Sequence, residues 1–344
     1  MFFKKYSSIL LAIIIIIASF IALFSGCSGK NLPVTAIEEI PTVETQVTLS
    51  AITVNIGSLK GPTSIGMIKL HEEKPSLGKN ITSNYEIVAS PDIMISKLLS
   101  GEIDIAALPT NVAVKLYNKG LDYKLAAIIG YGVLYILKQD VELATWEDLR
   151  NKKINVISKG STPDVVLRYL MEKNNLNPGK DVELDYSLEQ VELSQLMIAG
   201  KTNIGILPEP FVTMILDKND KVSIAFNIEE EWKKVANDQP LPMSCLVVSS
   251  KLSENHHDIV DDFLNQYRQS IDWANNNLDE ASLLIEKFKI GMDAQTAREA
   301  IPRCNIKFTD SDAAKESIRN YIKILLEFSP EDVGGKIPDE NFYY

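Results

Sequence analysis

Apolar and polar positions alternate from residue 51 onward. In "AITVNIGSL" (51–59) the β-branched residues Ile52, Val54 and Ile56 fall at every second place, which predicts a strand. "PTSIGMIKLHEE" (62–73) then switches to helical spacing, with Pro62 in its first turn. A strand "YEIVAS", an amphipathic helix "DIMISKLLSGE", a strand "IDIAALP" (103–109) and a helix "TNVAVKLYNKG" (110–120) follow, the last capped by Thr110 or Asn111 and stopped by Gly120. Strands that alternate with helices predict a mostly parallel sheet. The run "KLAAIIGYGVLYILKQD" (124–140) is divided by Gly130 and Gly132, and after it the same order recurs. A short helix in "TWEDLRN" leads to a strand "KINVIS", a long helix entered through "GSTP" (160–163), a strand "VELDYS", a helix "EQVELSQLMIAGK", a strand "TNIGILP" (202–208) and a helix "EPFVTMILDK". Beyond "DQPLP" a strand "MSCLVVSS" precedes largely helical sequence from Glu254 to Phe328, and the tail "KIPDENFYY" reads as irregular packing.

Two α/β units of like order with a helical return predict two lobes and a cleft, because ligands of open α/β sheets bind beyond the carboxyl ends of the strands. Residues 50–135 with 242–344 form the first expected lobe and 136–241 the second, with crossings near 130–140 and 238–246. Four strand-to-helix junctions converge on such a cleft: Gly57–Met67, Leu108–Asn111, Gly160–Pro163 and Leu207–Phe211. A helix start offers unpaired N–H groups and a partial positive charge. The candidate ligand residues are therefore Lys60, Gly61, Pro62, Thr63 and Ser64, then Thr110 and Asn111, then Gly160, Ser161 and Thr162. Their hydroxyls serve equally well as caps of their own helices. Glu209 in "LPEPF" either meets an amine or ring N–H of the ligand or complements the helix that starts at Pro210, and Asp164 poses the same choice. Tyr131 and Tyr135 either stack on a planar ligand or pack the crossing. "GSLKGPTS" is not a phosphate-binding Walker loop, since Pro62 follows its second glycine.

Composition narrows the reading. The chain has 344 residues and a formal net charge of −11, without the basic footprint that nucleic-acid binding needs. At the N-terminus, Lys4 and Lys5 precede "SSILLAIIIIIASFIALF" and "FSGC", a basic segment, apolar core and small residues before a cysteine. This ending resembles a bacterial lipobox, with Phe24 where leucine is usual. It implies a leader at 1–26, lipid on Cys27 and a location on the outer face of the cell membrane; the alternative is an uncleaved anchor. Residues 27–49 are polar and Pro-interrupted, a tether of roughly 25 Å if flexible. Cys245 and Cys304 remain, and either bond to each other or stay free; Cys245, in the apolar run "MSCLVVS", reads as free and buried. His71, His256 and His257 read as surface histidines. No metal site, cofactor or catalytic triad is expected from them, and no CxxC or HExxH motif occurs.

The stretches "IGSLKGPTSIGMIKL", "SGEIDIAALPTNVAVKLYNKG", "TWEDLRNKKINVISKGSTPDVVLRYLMEKNNL" and "GILPEPFVTMIL" resemble, in order, the type-2 periplasmic substrate-binding proteins of the nitrate, sulfonate, taurine and thiamine-precursor transporters. The likeness spans about residues 51–275 and departs at Asn151, where that family often has glycine; Asn tolerates the left-handed turn. It implies an α/β fold of two lobes, each a mostly parallel sheet flanked by helices. It also implies a non-catalytic, monomeric receptor that closes on a small molecule and delivers it to an ABC permease and ATPase. An enzyme of the pyrimidine-synthesis or menaquinone-pathway type on the same fold, or a ligand-sensing subunit, is the alternative.

Overall fold

The computed structural model describes residues 52–157 and 159–344; the leader, Cys27, the tether and Ser158 lie outside the described residues. The alternating run forms β1 (Ile52–Leu59), followed by α1 (Pro62–Ile65), α2 (Ile68–Glu73), β2 (Ile81–Val88), α3 (Pro91–Ser100), β3 (Ile105–Pro109), α4 (Thr110–Asn118) and β4 (Tyr123–Gly130). After the first crossing come β5 (Leu134–Lys138), β6 (Lys153–Val156), α5 (Thr162–Lys173), β7 (Glu183–Asp185), α6 (Gln190–Ile198), β8 (Ile204–Pro208), α7 (Phe211–Lys218), β9 (Ser223–Asn227) and α8 (Ile228–Val235). The return gives β10 (Ser244–Ser249), α9 (Ser250–Asn255), α10 (His257–Asn276), α11 (Leu278–Lys287), α12 (Ala294–Ala300), β11 (Ile306–Asp310) and α13 (Ser311–Phe328).

Sheet A has the order β11-β4-β10-β3-β1-β2 and sheet B the order β7-β6-β8-β5-β9. In A, β1 pairs in parallel with β2 and β3, while β10 runs antiparallel to β3 and β4, and β11 antiparallel to β4. In B, β6 is parallel to β7 and β8, and β5 is antiparallel to β8 and β9. The strand delivered by each crossing, β5 in B and β10 in A, thus runs against both of its neighbours. It enters from the edge where β1, β3, β6 and β8 end, so it can only travel back.

The apolar faces fill three cores. One, under α2, α10, α11 and α12, takes Ile56, Ile68, Phe263 and Ile285 on one face of sheet A. The largest continues from the other face of A, through Tyr131 and Leu134, to Val156 and Trp232 of the sheet B half. A third seats Leu193, Met197 and Val212 of α6 and α7 on sheet B. The final helix α13 belongs to both halves: Ala314 and Ile318 join the large core, and the Tyr321 ring meets Trp232 edge-on at 6.2 Å.

Several local expectations change. The single helix over 62–73 is two, broken at Gly66 and Met67. A Cβ on Gly66 would lie 2.9 Å from both the Tyr267 hydroxyl and Ile271 Cγ1, so this turn is pressed against α10. Pro109, not Thr110 or Asn111, stands at the cap of α4, and Thr110 is its buried first residue. β9 and α8 were not expected at all, and β11 interrupts the stretch read as helical. Cys245 and Cys304 are free and buried.

His71 is a correction of another kind, because it is 4% exposed rather than on the surface. Its Nε2 lies 3.2 Å from Ser58 Oγ, which shares a 2.7 Å hydrogen bond with Ser64 Oγ. Burial, helped by the charge of Lys74, lowers its pKa from 6.5 to about 4. Above pH 6.5 the imidazole is neutral whether folded or unfolded and contributes nothing to pH dependence. Below it the unfolded chain takes a proton that the fold refuses until about pH 4, so stability falls across that window by about 3 kcal/mol. Urea unfolding at pH 7 and pH 4.5 should show this loss in the wild type and a markedly smaller one in His71→Gln; equal losses would locate the acid sensitivity elsewhere.

Candidate functional site

A cavity of about 760 Å³ lies where the carboxyl ends of β1, β3, β6 and β8 meet. The first loop supplies Lys60, Gly61, Pro62 and Thr63, the second Pro109 and Asn111, the third Lys159 to Pro163, and the fourth Pro208 to Phe211. Crossing residues Tyr131, Val133, Leu134, Met243 and Ser244 also line it. Of the sequence-based candidates, Lys60, Gly61, Pro62, Thr63, Asn111, Tyr131, Gly160, Ser161, Thr162 and Glu209 come together around this one space. Ser64 and Thr110 do not line it. Ser64 is buried behind the first loop, donating to Leu59 O at 2.6 Å, and the buried Thr110 hydroxyl has no partner among the described residues.

Backbone geometry explains the glycines. Gly61 has φ 100° and ψ −153°, a conformation essentially closed to residues with a Cβ, and Gly160 has φ 83°. The hydroxyls do not cap their helices. Thr63 Oγ1 donates back to Leu59 O at 2.8 Å and Ser161 Oγ to Ile157 O at 3.0 Å, while Thr162 Oγ1 shares a 3.0 Å hydrogen bond with the Tyr321 hydroxyl. The first turn of α5 is therefore left without a side-chain cap.

Of the two roles expected for the acids, both take the one at a helix start: Asp164 sits in the first turn of α5, and Glu209 accepts from a first-turn amide of α7. Asp164 is fully buried and accepts from Gly160 N at 2.8 Å, the Tyr186 hydroxyl at 2.7 Å and Arg168 Nε at 3.0 Å. It anchors the third loop from behind. Glu209, 1% exposed, has both oxygens engaged: Oε1 accepts from Arg303 Nε at 2.6 Å, and Oε2 from Thr213 N at 3.1 Å and Thr213 Oγ1 at 2.8 Å. Burial raises its carboxyl above the ordinary value, opposed by the Arg303 and Thr213 hydrogen bonds. It presents a satisfied ion pair to the cavity and not a free acceptor for a ligand amine.

Tyr131 lines the cavity while its hydroxyl donates to Thr309 Oγ1 at 2.6 Å; Tyr135 donates to Arg303 O at 3.2 Å and packs in the sheet B core. In the same half Trp146 Nε1 donates to Glu231 Oε2 at 2.8 Å. Between the crossings stands Glu229, whose Oε2 accepts from Gly132 N and from Leu241 N, both at 3.1 Å. One carboxylate oxygen thus joins the outgoing and returning chains.

Sequence reasoning missed Glu331 and Asp332, which reach the cavity from the short 3-10 turn Pro330–Val333. That tail has no periodicity to read. It also missed the apolar wall of Ile157, Phe211 and Met243, which appears in the sequence only as ordinary core residues. Among the described residues no cluster of three or more His, Cys, Asp or Glu could hold a metal ion, and no helix is long and apolar enough to cross a membrane.

A family model described as "ABC transporter, phosphonate, periplasmic substrate-binding protein" matches residues 77–295. The chain is 21% identical over 239 residues to a Bacillus subtilis (strain 168) protein described as a binding protein, YtlA, covering 67% of this chain and 64% of that relative, less than two thirds of its length. The crystal structure of an ABC transporter from Parabacteroides distasonis is similar with a TM-score of 0.74 and 27% identity, over 86% of this chain and 99% of that one. The periplasmic aliphatic sulphonate binding protein SsuA from Escherichia coli shares the fold, with a TM-score of 0.67 and 15% identity over 83% of this chain and 90% of that one.

Proposed function

This chain belongs to the phosphonate-type periplasmic substrate-binding proteins of ABC transporters, and from that premise we propose that it is a non-catalytic solute receptor, anchored by lipid on Cys27 outside the cytoplasm, that hands a small molecule to a permease and ATPase. The observation that carries the reading is the single cavity of about 760 Å³ fed by strand-end loops of both sheets. A ligand touching Gly61 and Thr63 on one side and Ser161 and Thr162 on the other makes all its contacts only when the halves are together. Binding therefore favours the closed form, and the transporter meets loaded and empty receptors of different shape. The receptor works as a monomer, with Lys60, Gly61, Pro62, Thr63, Asn111, Tyr131, Gly160, Ser161 and Thr162 as its ligand residues.

The cavity wall supports an organic ligand over a bare oxyanion. Tyr131, Val133, Ile157, Phe211 and Met243 make much of it apolar, and the nearby Arg303 is committed to Glu209. Thermal-shift screening of alkyl- and arylphosphonates and of alkanesulfonates identifies a probe, because binding to the native state raises its melting temperature. Scattering should then give a smaller radius of gyration with that probe, which is recovered chemically unchanged. Thr63→Ala with Thr162→Ala should weaken binding about tenfold, roughly 1.4 kcal/mol. A converted product would overturn the receptor reading, and tight binding without compaction would overturn closure. Cys27→Ala should release the protein from the membrane or leave it unprocessed; unchanged labelling by a fatty-acid analogue would remove the lipid assignment.

A further inference from the structure

Arg303 and Glu209 lie 94 residues apart and in different halves of the molecule. Arg303 is part of the 3-10 turn Ile301–Cys304, which runs through the left-handed Asn305 (φ 46°) into β11 of sheet A. Glu209 immediately follows β8 of sheet B, and Thr213 is in the first turn of α7. The guanidinium grips both: Nε is 2.6 Å from Glu209 Oε1 and Nη2 is 2.5 Å from Thr213 Oγ1. The Glu209 side chain is wholly enclosed, whereas that of Arg303 is 31% exposed. Glu209 and the adjacent Cys304 border the cavity, but Arg303 itself does not, so the guanidinium grips the carboxylate from outside the ligand space.

A carboxylate held out of water needs a cation or must regain water. Here the cation is lent by the opposite half. When the halves part, Glu209 loses Arg303 and keeps only Thr213 within its own half. The pair therefore exists in one arrangement of the halves and not in the other, which is the condition for biasing their equilibrium. We propose that Arg303 is a closure latch: it holds Glu209 and Thr213 across the two halves, sets how far the cleft stands open before ligand arrives, and so tunes affinity without touching the ligand. This goes beyond the receptor reading and needs only that the halves move.

The test uses the ligand-free protein. Nitroxide labels on Ser96→Cys of α3 and Glu192→Cys of α6, both exposed positions on opposite halves, report the distance between them in a Cys27→Ala background; the native Cys245 and Cys304 are buried and stay unlabelled. R303M should lengthen the mean distance by several ångströms and broaden its distribution. E209Q, which keeps the shape but loses the charge, should shift it in the same direction, and the double variant should add little to either single one. R303K, with one point charge in place of the fork, should fall between. An R303M distribution that matches the wild type overturns the latch, as do fully additive shifts in the double variant. Either result leaves the receptor reading standing, because that reading rests on binding in the cavity. Should R303M fail to fold, R303K decides alone, a wild-type distance in it counting against the latch.

Discussion

Glu229→Ala should lower the unfolding free energy by about 4 kcal/mol and loosen the angle between the two halves. The carboxylate is 5% exposed and its Oε2 is the acceptor for Gly132 N and Leu241 N. Both amides lie in crossing segments that belong to no strand or helix, so no ladder hydrogen bond replaces the lost one. Leaving a buried N–H unpaired costs about 1–3 kcal/mol each, and the removed side chain adds a cavity. Its other contact, with Lys233 at 3.1 Å, is a solvent-facing pair of little weight, since the lysine side chain is 40% exposed. Glu229→Gln keeps an oxygen in place and should lose much less. Gly132→Ala tests the same point from the opposite side: its Cβ would lie 2.7 Å from Glu229 Oε2 and 3.2 Å from the Glu229 backbone, so the carboxylate must leave. Urea unfolding curves within error of the wild type for Glu229→Ala would show that the crossings do not depend on this side chain.

Asp164→Ala should cost about 3 kcal/mol and act mainly on the cleft loop. Three donors converge on this buried carboxylate: the Gly160 amide, the Tyr186 hydroxyl and Arg168. Gly160 is the only one of the three in the loop that faces the cavity, and its left-handed conformation leaves few other ways to satisfy that amide. The loop then opens without the rest of the half unfolding. Amide exchange at residues 160–165 should accelerate about 100-fold, the equivalent of roughly 2.7 kcal/mol of local opening, while sheet A is unaffected. A uniform acceleration over both sheets would mean that Asp164 supports the whole fold and not the loop.

The architecture was legible where the hydrophobic period changes. At Leu59–Pro62, Pro109–Thr110 and Pro208–Phe211 an alternating or continuous apolar run gives way to helical spacing, and these are the junctions that surround the cavity. Where two patterns overlap, the signal fails. "KVSIAFNIEEEWKKV" hides β9 and α8, because Ile224 of the strand is exposed and the acid run of the helix looks like a solvated face, although Ile228 and Trp232 are fully buried. The site was readable as loops and unreadable as pairings. Nothing near Glu209 announces a partner 94 residues away, and nothing around His71 reveals that Ser58, itself bonded to Ser64, will turn toward it. The tail reads as irregular for a sound reason, yet Phe342 is completely buried and Tyr343 bridges to Leu125 of β4; such contacts follow from the finished surface and not from local spacing.

The position of β10 between β3 and β4 also orders the birth of the molecule. Every strand of sheet B lies in one uninterrupted segment, from Leu134 to Asn227, so that sheet has all its strands as soon as the segment has emerged. Sheet A does not. Its β3 and β4 are made early, but the strand that must separate and join them arrives only with Ser244 to Ser249. Until then each of the two carries an open edge, and these are edges with strand-pairing capacity and nothing native to occupy it. The earlier-started sheet is thus the later to finish, and the growing chain is most exposed to mispairing in the interval between residues 130 and 244.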